Sequence, residues 1–105
     1  MAAQGNHGPP YTVHVSGFIA QAIRNVHERA KKQGRGDKVT AAIEQVLERL
    51  RQNPNNLGEP LYHLSALGLE VRTCVIRPVN VDFTVHKERF LVFIKGVKLL
   101  TEVGM

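Results

Sequence analysis

Apolar residues recur at steps of three and four from Phe18 to Leu50, then alternate or run continuously from Leu69 to Val97. The first spacing is that of helices with one face in a core, and the second is that of extended chain. The period changes at Leu57-Gly58-Glu59-Pro60-Leu61. Ahead of the helices, Tyr11, Val13 and Val15 fall on one side of a short strand, with Thr12 and His14 on the other. The predicted order is one strand, two helices and about three strands.

Punctuation residues set the limits. Ser16 is placed to cap a helix whose apolar stripe is Phe18, Ile19, Ala22, Ile23, Val26 and Ala30. Gly34-Arg35-Gly36 stops it, either glycine being free to adopt left-handed geometry. Asp37 is a good N-cap for a second helix with the stripe Val39, Ala42, Ile43, Val46, Leu47 and Leu50, in which Val46 and Leu47 should be buried. Asn53-Pro54 ends it, and the short loop predicts an antiparallel helical hairpin. Pro60 to Gly68 reads as an irregular connector and Leu69 to Ile76 as a strand. Val79, Val81, Phe83 and Val85 alternate strictly with polar residues, His86 to Arg89 is a charged turn, and Phe90 to Ile94 is apolar on both faces, as in a fully covered central strand. Residues 1–10 read as a flexible lead-in, 11–100 as one domain and 101–105 as a tail.

The chain of 105 residues suits a single modest core, and 43% hydrophobic against 22% charged residues is ordinary globular composition. The longest apolar run is far short of the roughly 20 residues of a membrane helix, and the N-terminus lacks the layout of a secretory signal, so cytosolic residence is the expectation. The single cysteine, Cys74, excludes an internal disulfide and reads as a small buried hydrophobe, with a reactive thiol as the alternative.

Charge sharpens the picture. The net charge is +5, and Arg24 to Lys38 alone carries six bases against Glu28 and Asp37. Val39 to Glu70 is net acidic, and the chain from Val71 onward is again basic. The asymmetry suggests an anionic partner, nucleic acid or an acidic polypeptide, with Lys31, Lys32, Arg35, Arg77 and Lys95 as nucleic-acid contacts. A solvated, lysine-rich helix turn carries the same signature.

The five histidines are scattered without metal-ligand spacing, Gly34-Arg35-Gly36 lacks the lysine and preceding strand of a phosphate loop, and Ser16 and Ser65 sit in no nucleophile elbow. No metal or cofactor is expected. What remains is Arg72 and Arg77 on one predicted strand and Lys95 and Lys98 on another, cations that can converge on a phosphodiester if those strands are neighbours. Cleavage of RNA by its own 2′-hydroxyl needs a base, an acid and such cations. Glu59 or His63 is the candidate base and His86 a weaker candidate acid. Exposed strand charge that merely keeps a sheet face soluble is the competing reading.

The order of these segments resembles the RelE/ParE superfamily of bacterial toxins. The elements that carry the resemblance are Tyr11 to Val15, the helices ending Leu50-Arg51-Gln52-Asn53-Pro54, the hinge Leu57-Gly58-Glu59-Pro60-Leu61, and the strand segments Gly68 to Arg72, Val81 to Val85 and Leu91 to Ile94, followed by Lys98. The resemblance implies an α+β fold: an N-terminal strand, an antiparallel helical hairpin, and then a three-stranded, mainly antiparallel meander. It also implies a cytosolic protein held by a cognate antitoxin.

The same resemblance weakens the case for catalysis. The RNA-cleaving branch carries an arginine where this chain has Asn80, and an arginine, histidine or tyrosine where it has Leu99 and Leu100. Glu59 matches a general base of some ribosome-dependent members and Lys98 a basic position, which leaves Glu59, Arg72 and Lys98 as the candidate catalytic set. The gyrase-poisoning branch needs no nuclease residues. The leading expectation is a toxin-like module that binds a polypeptide (antitoxin or target) or nucleic acid without efficient nuclease activity. The alternative is a ribosome-dependent messenger-RNA endonuclease with a rearranged site. A domain of this fold unrelated to toxin–antitoxin pairs is a third reading.

Overall fold

The computed structural model describes residues 9–101. Most of the expected lead-in and tail, residues 1–8 and 102–105, lie outside the described residues. Strand β1 (Thr12–His14) is followed by α1 (Gly17–Lys32), α2 (Gly36–Gln52), β2 (Glu59–Leu64), β3 (Leu69–Ile76), β4 (Val79–His86) and β5 (Leu91–Leu99). The strands form one mixed sheet in the order β1-β5-β4-β3-β2. β1 runs parallel to β5, with Val13 opposite Val92, and the other pairs are antiparallel.

Both helices cover one face of this sheet. Val79, Val81, Phe83 and Val85 of β4, Cys74 of β3, and Val92 and Ile94 of β5 meet Ile19, Val26 and Ala30 of α1 and Val39, Ala42, Val46 and Leu50 of α2. Phe83, Val85, Val92 and Leu50 are fully enclosed. Each such side chain contributes about 1.5–3 kcal/mol relative to exposure. The alternation in β4 therefore reports burial directly: its odd positions form the centre of the core.

Caps and turns follow local chemistry. The Ser16 hydroxyl accepts from the Ile19 amide at 3.1 Å and starts α1. Gly34, with φ +74, takes the left-handed conformation after it. Asp37 is not the cap of α2: the helix begins at Gly36, with Arg35 at the N-cap and Asp37 inside the first turn. There its charge still opposes the positive end of the helix dipole.

Four expectations are corrected. Residues 59–64 are a strand and not part of a connector, so four strands follow the helices. A register shift between Pro60 and Tyr62 breaks the alternation that would have revealed it, and Pro60 is tolerated because β2 is a sheet edge. Phe18 lies off the buried stripe and is 82% exposed, since one residue of helix, about 100° of turn, separates it from the core-facing Ile19. Leu47 is half-buried at the margin of the core, whereas Val46 is enclosed. β5 is an interior strand, but only its Val92 and Ile94 side is covered; Phe93 stays 39% exposed on the open face.

Candidate functional site

Of the expected catalytic set, Arg72 is on the wrong side of the sheet. In β3 it pairs in register with Phe83 of the core, so it faces the helices. Its side chain lies 3.1 Å from Glu70, and each of the two is 7% exposed. Arg72 Nε donates to the Leu57 carbonyl at 3.1 Å and Nη2 to the Gly58 carbonyl at 3.3 Å. Gly58, at φ +66, brings that loop against β3 so closely that an added Cβ would meet the Thr73 carbonyl oxygen. The guanidinium clamps the loop to the sheet and offers nothing to a phosphate outside.

Glu70 also takes His63 Nε2 at 2.6 Å and Lys87 Nζ at 3.8 Å. The same register shift in β2 separates the two candidate bases. Glu59 lies opposite Thr73 on the open face, while His63 lies opposite Glu70. They are not alternatives for one site.

Glu59 and Lys98 do share the open face. Glu59 is in a row with Thr73, Asp82 and Gly96, and Lys98 is in the row of Asn80 and Val75. Three strand spacings of about 4.8 Å still part β2 from β5, roughly 14 Å in all. A base and a cation that far apart do not reach one scissile phosphate. Between them lies a polar relay: Asn80 donates to Thr73 Oγ1 at 2.8 Å, and Thr73 donates to Asp82 Oδ1 at 2.6 Å. The centre of the open face is thus carboxylate and amide, not cationic. His86, the candidate acid, sits in the row of Leu69 and Leu91, away from Glu59.

The neighbouring row on the open face is His14, Phe93, Thr84, Val71 and Tyr62, one residue from each strand. His14 and Phe93 stack at 5.0 Å. Tyr62, Leu64 and Val75 are half or nearly half exposed on the same face, and Leu61 and Leu67 are exposed along the β2 edge. This apolar platform is invisible in the sequence until strand order is known.

The expected nucleic-acid contacts divide. The Leu100 amide donates to the Pro78 carbonyl at 2.8 Å, tying the end of β5 to the β3–β4 turn. Arg35 Nη1 donates to the Leu100 carbonyl at 3.3 Å, tying in the α1–α2 loop. Lys31, Lys32, Arg35 and Arg77 therefore gather at one end of the sheet. Lys95 does not; it is the extra residue of the bulge between Ile94 and Gly96 in β5. Arg35 is also buried, at 9% exposed, where a surface contact was expected. Gln33 and the Leu100 carbonyl hold it because the loop closes over the end of β5. Arg29 and Lys38, which the charge count included but did not single out, line a cavity of about 590 Å³ beside it.

Among the described residues no helix is long and apolar enough to cross a membrane, and no group of three or more His, Cys, Asp or Glu is placed to hold a metal ion. The described residues thus form a mixed five-stranded sheet with a helical hairpin on one face. Neither a protein-family model nor a curated protein matches the sequence. Among solved structures, a chain in the crystal structure of the toxin–antitoxin complex RelBE2 from Mycobacterium tuberculosis superposes with a TM-score of 0.65. The match is 18% identical and covers 90% of this chain and 95% of that one. The chain shares its α+β fold with that chain of the complex, the architecture that the RelE/ParE resemblance implies.

Proposed function

We propose that the chain is a RelE-like module that acts by binding a polypeptide, an antitoxin or a cellular target, and does not cleave RNA efficiently. The observation that carries this reading is the position of Arg72, buried on the helix-facing side and held by Glu70 and two carbonyls. Without it, Glu59 and Lys98 stand at opposite sides of the open face, and no ion pair among the described residues brings a cation to Glu59.

The open face supports a polypeptide ligand in preference to RNA. Apolar area of this kind, rimmed by polar residues, is the mark of an interaction site. Asp82 and Glu59 repel phosphates and suit basic or amide side chains of a partner. The β2 edge has unpaired backbone groups beside Leu61, Tyr62 and Leu64, a template for strand addition. The solved structure of like fold is of a complex with an antitoxin, which makes an antitoxin the first partner to test.

The test is co-expression with the product of a small reading frame beside the gene, followed by purification of the complex. Phe93→Asp and Tyr62→Asp should abolish the complex while leaving the melting temperature unchanged. Retention of the complex by both variants would place the partner elsewhere. The endonuclease reading keeps one observation in its favour, the shared face of Glu59 and Lys98.

A further inference from the structure

Among the described residues Arg35 is a buried cation without a counter-charge. It is 9% exposed, its Nε and Nη2 donate to the Gln33 side-chain carbonyl oxygen, and Nη1 donates to the Leu100 carbonyl. No ion pair among the described residues involves it. A charge taken out of water is ordinarily paired, because neutral acceptors offset only part of the lost hydration. Arg72, the other buried arginine, obeys that rule through Glu70.

Arg35 also lines the cavity of about 590 Å³, together with Arg29, Gln33, Gly34, Lys38, Leu99 and Thr101. Among the described residues three cations and no acid line it. The four ion pairs found among the described residues engage neither Arg29 nor Lys38. Among the described residues neither cation is paired with a carboxylate, which leaves both available to a ligand. The two lie on different helices, near the end of α1 and the start of α2, with Arg35 in the loop between them. A group seated there is reached from two sides.

We infer that this cavity is a phosphate-binding site, in which Arg29 and Lys38 contact the ligand and Arg35 positions the loop and supplies uncompensated charge. The planar guanidinium of Arg29 suits two oxygens of one phosphate and the Lys38 ammonium a third. The phosphate is either a free or terminal phosphoryl group or a phosphodiester of a nucleic-acid backbone. The site stands apart from the open face and goes beyond the polypeptide-binding reading, which neither needs it nor fails with it.

The experiment is an amide-resolved NMR titration of the full chain in two arms, with pyrophosphate and with a single-stranded oligonucleotide lacking terminal phosphates. Saturable shifts at Gly34, Leu99 and Thr101 in either arm are expected. Pyrophosphate alone identifies a phosphoryl ligand, and the oligonucleotide, with competition by pyrophosphate, identifies a nucleic-acid backbone. The double variant Arg29→Ala, Lys38→Ala should keep the spectrum of the folded chain and lose affinity about tenfold or more, since charge-assisted hydrogen bonds are removed. Arg89→Ala, in the turn after β4, should bind as the parent does. Absence of localised shifts in both arms, or equal affinity in the double variant, overturns the inference.

Discussion

Arg72 and Glu70 form a buried ion pair at 3.1 Å on the side of the sheet that faces the helices. The pair fixes the hinge loop, because Arg72 also takes the carbonyls of Leu57 and Gly58. Removing one member of such a pair leaves the other charge in low dielectric. Arg72→Ala should lower stability by about 3 kcal/mol, near the low end of the usual range because Glu70 keeps His63 and Lys87. Urea denaturation measures this. An unchanged midpoint would mean that Arg72 is not structural and would return it to the list of functional cations.

Gly58 and Gly34 both have positive φ, and they should respond differently to alanine. At Gly34 nothing lies within 4 Å of an added Cβ, so only left-handed strain of about 1–2 kcal/mol is expected. At Gly58 the Cβ runs into the Thr73 carbonyl and Cys74, and overpacking adds about 1–3 kcal/mol. Thermal unfolding of the two variants should show the larger loss for Gly58→Ala. Equal losses would contradict the close approach of the hinge to β3.

Burial pushes the Cys74 thiol above its ordinary value of 9.0. The folded state therefore keeps the proton at a pH where the unfolded chain gives it up. The stability from this difference is complete below the unfolded value and is lost as pH rises towards the folded one, by at most about 1.4 kcal/mol per pH unit. Between pH 7 and 10 the parent should lose more stability than Cys74→Val, which has no thiol to titrate. The same loss in both would show that the thiol does not contribute.

The helices and β4 were legible in the sequence because a single surface sets their period. Val79 to Val85 alternates since one side meets α1 and α2 and the other meets solvent. β2 was not legible, because an edge strand with all six residues exposed has no burial to imprint a period, and its bulge shifts the register. The candidate site was read only in part for a related reason. Lys98 was placed on its strand, whereas Glu59 was read as part of the hinge and lies in β2; face assignment needs register besides, and Arg72 differs from Thr73 only by one step along β3. The cavity beside Arg35 depends on Leu100 returning to the α1–α2 loop, a contact across 65 residues that no local pattern announces.

The account rests on the claim that no RNA-cleaving centre is assembled around Glu59. Incubating the purified chain with ribosomes translating a defined messenger RNA, and mapping 5′ ends by primer extension, tests this most directly. The expected result is the same set of ends with and without the protein, while expression of the chain still arrests growth. New ends at codon-defined positions, lost in Glu59→Ala or Lys98→Ala variants of unchanged melting temperature, would contradict the account and establish an endonuclease.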